Sequence, residues 1–405
     1  MDAAKDGDTI IVYSGIYEEN VDVNKELTII SESGNPQDTV VQAPGGYGKI
    51  FNITANNVTI NGFKVEDGDQ GIILDGVQYN NISNNKISCM HGIVLGSSSN
   101  NTLHNNNCGY LNSIHLNYSN NNFLSNNSFS AMEFCFFMEH SNNNILIGNS
   151  IGGEHPLWLR YSCNNTMSDN SIIGAWEGID LLYSSNNTMS NNSIGGGDLG
   201  IRMSHSNNTT MSNNSVSGMW GIGMHSSSYC TMSNNTVSTH GGDGFGLGDS
   251  SNNILKDNTV IEEWVSGDRS RSFHLRSSNN NILTGNIARR TKLDEGWGNI
   301  HLNNSNSNLI YNNYFNSPNN VYDDGNNIWN ITKTPGTNII GGPFLGGNYW
   351  SDYAGADTDG DGLGDTLLPY DSEGQIANGG DYLPLVTPAE HPEPASIYTV
   401  NSGAG

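Results

Sequence analysis

Two sets of residues have types and spacings that suit chemistry. In the first, Asp357, Asp359 and Asp361 recur at every second residue and are followed by Gly362, Leu363 and Asp365. That is the spacing of a calcium loop. Hard carboxylate oxygens fall at its first, third, fifth and ninth positions, a glycine at the sixth permits the sharp turn, and the Leu363 carbonyl supplies the seventh. The twelfth position holds Leu368 instead of a bidentate glutamate. The closing carboxylate must then come from elsewhere, with Asp371, Asp352 or Asp381 as candidates. Ca2+ at this loop is expected to fasten a cap, not to take part in a reaction.

The second set recurs at a regular interval after Gly-Ile-x-Leu strands. Outward positions carry His115, Trp158, Asp180, Arg202, Gly223, Gly246, His274 and His301; just beyond each strand come Glu139, Arg160, His225 and Arg276, then Tyr161, Tyr183 and His205. The loops leading in add Glu154, Trp176, Glu177, Asp198, Trp220, Asp243, Trp264, Asp268, Arg269, Asp294 and Trp297. Aromatic rings suit stacking on sugars, and arginine pairs with uronate carboxylates. Glu177 with Asp180 or Asp198 could divide acid and base work in glycosidic hydrolysis. Alternatively, Arg202 or Arg160 neutralises a uronate while His205 or His225 takes a proton. Trp158, Arg160, Tyr161, Tyr183, Trp176, Trp220, His225, Glu139 and Glu154 are the candidate substrate contacts.

A repeat positions both sets. Asparagine recurs at 85, 106, 127, 149, 170, 192, 214, 235, 258, 286 and 313, mostly every 21 to 23 residues and at most 28 apart. Such a period means stacked coils. Each coil has three inward stripes, such as Ile179/Leu181, Met189 and Ile194, which predicts three parallel sheets around one narrow core. The asparagines are expected at a bend, in the left-handed conformation, each amide donating to the next coil. The repeat methionines lie on inward stripes and are expected to fill the core.

The chain has 405 residues with 40 acids against 15 bases, a formal charge of −25. Phosphates repel such a surface, which argues against nucleic acid and anionic lipid as partners. Five cysteines without a CxxC pair do not read as a disulfide scaffold. No apolar run is long enough to span a membrane, and no signal peptide opens the chain, as in a trimmed secreted protein. The expected layout is N-terminal coils over 1–60, regular repeats over 61–320, a capping segment over 321–387 and a Pro-rich tail over 388–405. A monomer is expected.

The segment Gly7-Asp-Thr-Ile-Ile-Val-Tyr-Ser-Gly-Ile-Tyr-Glu-Glu-Asn-Val21 resembles the opening coils of pectin-lyase-like right-handed parallel β-helices. With the repeat, Gly346-Gly-Asn-Tyr-Trp-Ser-Asp-Tyr and Asp381-Tyr-Leu-Pro-Leu, the chain looks like surface β-helix proteins of methanogenic archaea. Disaggregatase-type matrix-degrading enzymes and NosD-type copper-associated periplasmic proteins are among their relatives. The resemblance implies an all-β, right-handed parallel β-helix at the cell surface or outside the cell, and carries over no catalytic signature. The expected function is a polysaccharide lyase or glycoside hydrolase acting on acidic, uronate-containing matrix polysaccharide. The alternatives are a non-catalytic glycan-binding surface protein and a copper accessory protein.

Overall fold

The computed structural model describes residues 3–263, 270–290 and 298–387. Trp264, Asp268, Arg269, Asp294, Trp297 and the 388–405 tail lie outside the described residues. The chain is a right-handed parallel β-helix, and its strands pair with the coil before and the coil after.

One coil shows how the sequence writes the others. The strand Glu177–Leu182 buries Ile179 and Leu181, Thr188–Ser190 buries Met189, and Ser193–Gly195 buries Ile194. The next coil repeats this in register, with Ile179 beside Ile201, Met189 beside Met211 and Ile194 beside Val216. Three inward stripes therefore close one apolar core, in which Met167, Met189, Met211 and Met232 stack fully buried.

The three expected faces exist but form two main hydrogen-bonded sheets, of 14 and 27 strands. Two of the faces are joined because Ser128–Glu139 and Ser150–Arg160 run unbroken around the bend between them. The N-terminal strands Asp8–Val12 and Leu27–Ser31 stack in the same sheet as the later coils, so residues 3–60 continue the stack.

The asparagine ladder forms as expected. Asn192 Nδ2 donates to the Met167 carbonyl at 2.9 Å and to Asn214 Oδ1 at 3.0 Å. Its Oδ1 accepts from the backbone N–H and the amide of Asn170, both at 3.0 Å. Every polar atom of a side chain with 1% exposure is thus satisfied. The left-handed residue is not the ladder asparagine, however, but the one before it: Asn191, Asn213 and Asn234 have φ of 56°, 56° and 55°. That residue turns the corner, and its successor is left with the side chain pointing along the stack.

Two further ladders precede this one, the asparagine one interrupted at Thr209 and Cys230. Asn101, Asn122 and Asn144 link amide to amide at 3.1 Å, and Ser184 N–H donates to Ser206 Oγ at 3.0 Å. The C-terminal segment joins the asparagine ladder directly. Asn313 Nδ2 donates to Asn348 Oδ1 at 2.9 Å, and Asn348 N–H donates to Asp381 Oδ2 at 2.7 Å. Trp350 stacks on Phe315 at 4.9 Å and its Nε1 donates to Asp381 at 2.9 Å, so the cap closes the core end. Burial raises the Asp381 carboxyl to about 6.

Candidate functional site: a cationic cleft on one face

The outward residues of the Gly-Ile-x-Leu strands form one continuous row. Backbone pairing sets Trp158 beside Asp180, then Arg202, Gly223, Gly246, His274 and His301, one per coil. Neighbours in such a row lie about 4.8 Å apart. A cleft of about 550 Å³ follows this row, lined among others by Arg160, Asp180, Arg202, Gly223, His225, Gly246, His274 and Arg276.

Glycine makes the floor. A Cβ on Gly246 would meet no atom within 4 Å, and one on Gly223 would make only ordinary contact with Leu199 at 3.6 Å. Neither packing nor a left-handed backbone requires glycine there. Its effect is to leave a hollow between Arg202 on one side and His274 on the other.

The structure brings Glu177, Asp180 and Arg202 together, but in a way that changes their expected roles. Arg202 Nη2 donates to Asp180 Oδ2 at 2.5 Å, and Nη1 lies 3.4 Å from Glu177 Oε1. The other Glu177 oxygen is 3.3 Å from His155 Nδ1, at ion-pair distance but off hydrogen-bond geometry. The hydrogen bond to Asp180 pushes the Arg202 guanidinium further up. Asp180 occupies the outward position that the repeat assigns it, yet it is only 6% exposed. The two carboxylates share one guanidinium, and Arg202 is correspondingly less available to a ligand. Arg160 and Arg276, by contrast, form no ion pair among the described residues. Arg160 lies over the Trp158 ring, 5.2 Å from its centroid.

The aromatic candidates are mostly packed against one another. Trp158 meets Phe134 edge-on at 4.9 Å and His155 at 4.9 Å. Tyr118, His140, Tyr161, Tyr183 and His205 form a column of stacked rings 4.7 to 5.2 Å apart, each on a left-handed residue. Tyr161 and Tyr183 therefore present edges and hydroxyls, because their faces are covered. His205 belongs to this column and accepts or donates at Ser204 Oγ, 3.0 Å away; it does not line the cleft. Trp176 and Trp220, at the loop edge, are 52% and 45% exposed. Asp198 lies between them by backbone hydrogen bonds to each, while Asp198 and Glu154 are exposed and Glu139 is half-buried.

One grouping escaped the sequence. Asp243, from a loop, reaches the outward row one coil on: its Oδ2 is 2.8 Å from His274 Nδ1. Arg271 Nη1 lies 3.4 and 3.3 Å from the two Asp243 oxygens, and the Arg271 N–H donates to Oδ1 at 3.1 Å. His301 stacks on His274 at 5.7 Å, and burial, reinforced by the Arg271 and His274 charges, lowers it to about 4. The available signal was histidine at the outward position of successive coils, with an acid in the loop before them.

At the C-terminal loop, ligand oxygens of Asp357, Asp359 and Asp361 lie within 4.8 Å of one another. Asp357 folds the loop by accepting the Gly360 and Gly362 N–H groups, each at 2.7 Å. Leu363 N–H donates to Asp361 Oδ1 at 2.8 Å. Asp365 accepts from the Thr358 N–H and hydroxyl at 2.7 and 2.6 Å, which holds its carboxyl low. Lys333 is hydrogen-bonded to Asp361. None of the candidate closing carboxylates joins the convergent group. Asp371 lines a separate depression of about 950 Å³ under the cap, Asp352 accepts the Tyr370 hydroxyl at 2.8 Å, and Asp381 is buried on Trp350. Among the described residues that larger depression carries Asp352, Asp371 and Glu373 and no arginine or lysine, so an anionic ligand is better served by the smaller cleft.

A family model described as periplasmic copper-binding protein (NosD) matches residues 1–156 and 154–355. Over 82 residues, 20% of this chain, the sequence is 39% identical to a cell surface glycoprotein of Methanothermus fervidus, a match spanning 13% of that glycoprotein. Among solved structures, the Dettilon tailspike protein superposes with a TM-score of 0.51 at 14% identity, covering 73% of this chain and 61% of its own. The alginate lyase AlyF-OU02 gives 0.48 at 12% identity, over 83% and 85% of the two chains. The tailspike likeness is one of fold alone, and the lyase likeness is weaker still.

Proposed function

The chain belongs to the NosD family, and from that premise we propose that it is a cell-surface or extracellular β-helix protein that binds and cleaves an acidic, uronate-containing polysaccharide in its cleft. The observation that supports this most is electrostatic. In a chain of net charge −25, Arg160, Arg202, Arg276, His225 and His274 gather on one hollow whose lining, among the described residues, includes a single acid, Asp180, paired with Arg202. Glu177, Asp243 and Asp249 approach Arg202, His274 and His225 from outside that lining, and Arg160 and Arg276 have no acidic partner among the described residues. Charge of the opposite sign to the rest of the surface marks a place for an anionic partner. A row repeating about every 4.8 Å suits a ligand that is itself a chain. The cell surface glycoprotein relative supports a location outside the cytoplasm.

The family description raises copper, and the residues present do not fit it. The soft thioethers of Met167, Met189, Met211 and Met232 are buried in the core. Among the described residues, the group of His, Cys, Asp or Glu that converges closely enough to hold an ion is the aspartate set of the C-terminal loop. Those hard oxygens fit Ca2+, with Asp357, Asp359 and Asp361 as ligands and the Leu363 carbonyl beside them. In this proposal Ca2+ is structural, its charge replacing the Lys333 contact at Asp361. EDTA is then expected to lower the melting temperature, and added Ca2+ to restore it; a melting temperature indifferent to both removes the ion from the account.

A second reading, glycan binding without cleavage, is favoured by the pairing of both Glu177 and Asp180 with Arg202. A panel of acidic and neutral glycans separates the two. Binding to the acidic members with new chain ends supports cleavage, whereas binding without new ends leaves a surface lectin. Absence of binding to every acidic glycan overturns the proposal.

A further inference from the structure

We infer that the cleft cleaves its substrate by β-elimination, with His274 as the base, Asp243 and Arg271 as its positioning residues, and Arg276 beside the substrate carboxylate. The inference rests on the acidic-polysaccharide reading and narrows its chemistry.

Hydrolysis of a glycosidic bond ordinarily needs two carboxyl groups facing each other across the sugar. Among the described residues the cleft lining holds one, Asp180, at 6% exposure and bonded to Arg202. Elimination at a uronate needs different parts: a base for the proton next to the carboxylate, and a cation to hold the charge that then builds on it. The cleft holds both. His274 lines it, with Nδ1 at 2.8 Å from Asp243 Oδ2. Arg271 Nη1 also approaches Nδ1, at 2.9 Å, but is itself bound to both oxygens of Asp243. A carboxylate against Nδ1 holds a proton there. Nε2 lies 3.3 Å from Asn303 Oδ1, an acceptor, so Nε2 offers a lone pair to the substrate only once the Asn303 side chain turns its oxygen away. Asp243 is 5% exposed at its side chain and fixed from two sides by Arg271, so the ring orientation is set before substrate arrives. Arg276, in the same strand and exposed, has no acidic partner among the described residues and is free to pair with the uronate.

The step balances without a further reactant. Nε2 takes the proton from C5, the C–H electrons form the C4–C5 double bond, and the C4–O bond breaks. The leaving oxygen takes a proton from the imidazolium just formed, which restores the base.

The test uses the full chain with polygalacturonate, alginate and hyaluronan. Ultraviolet absorbance of the new double bond and a reducing-end assay are read on the same samples, and binding is read by calorimetry. The expected result is one double bond per new reducing end on at least one polymer. His274→Gln should lower turnover on the order of 10² to 10⁴-fold with binding and melting temperature retained. Asp243→Asn should lower kcat with KM unchanged and move the pH profile, which a merely structural residue would not do. Arg276→Ala, at an exposed site, should raise KM and lower kcat while leaving the fold intact. Reducing ends without double bonds, or full activity in His274→Gln, overturn the elimination and leave the polysaccharide reading standing. Binding with no new ends also overturns it, and failure of all three polymers to bind overturns both.

Discussion

The Asn191–Asn192 corner and the Asp180–Arg202 contact belong to the same stack, yet they are built on opposite rules. At the corner, each coil repeats its neighbours: a left-handed residue, then an asparagine whose amide bonds the coils on either side. On the outward row no two adjacent positions from Trp158 to Arg202 share a residue type, and Gly223 and Gly246 then withdraw side chains altogether. The corner must satisfy buried backbone and amide groups in every coil, so any variation costs free energy. The outward row meets solvent or ligand and is released from that requirement. A solenoid therefore carries function where its repeat fails to repeat.

The strongest way to break this contrast is at the ladder. Asn192→Leu keeps the volume but removes the side-chain partner of the Met167 carbonyl and of the Asn170 backbone N–H, and takes one of two hydrogen bonds from Asn214 Oδ1 and from the Asn170 amide. An unsatisfied buried polar group costs about 1–3 kcal/mol. The expected loss, after relaxation, is at least about 3 kcal/mol in denaturant unfolding. A loss below about 1 kcal/mol would mean that the ladder is a consequence of stacking and not one of its supports.

Asp180→Ala is expected to have a smaller and two-sided effect. It removes one partner of a contact that is buried on the aspartate side and 44% exposed on the arginine side, and Glu177 remains 3.4 Å from Arg202. Solvent screening brings the expected stability loss to about 1 kcal/mol. Arg202 is then freer to meet an anion, so calorimetry should show acidic glycan binding unchanged or tighter. Turnover should survive if His274 is the base. Loss of turnover with binding intact would return Asp180 to the catalytic role that its position in the sequence first suggested.

Much of this organisation was legible before any coordinates. Ile179, Leu181, Met189 and Ile194 announce three inward stripes because burial selects apolar residues at a fixed period, and that period gives the register of the outward row. Asp180 and Arg202 could be placed side by side by counting. What counting could not show is that they neutralise each other, since register fixes which side chains are neighbours and not how they pair. Asp243 was out of reach for a different reason: it meets His274 across 31 residues from a loop whose path no repeat dictates. The closing carboxylate of the calcium loop failed similarly, because Asp352, Asp371 and Asp381 are near in sequence but drawn elsewhere by Tyr370, the cap depression and Trp350. The left-handed residue was displaced by one position because an amide that must point along the stack cannot also turn the corner.

The finest test of the contrast changes a residue that the fold does not need. Gly246 sits on the cleft floor, and a side chain there would start in open space. Its backbone is not among the left-handed glycines, so a larger residue introduces no strain. Gly246→Trp is therefore expected to shift stability by no more than about 0.5 kcal/mol. The indole should nonetheless fill the hollow between Arg202 and His274 and weaken acidic glycan binding at least about tenfold, or about 1.4 kcal/mol. The same replacement at Gly76, a left-handed glycine at a corner with equally open surroundings, should leave binding alone and lower stability instead. If Gly246→Trp binds as well as the wild type, the ligand does not lie on this floor. The glycines of the outward row would then be mere gaps in an uneven surface, and the cationic cleft would no longer mark the place where the repeat gives way to function.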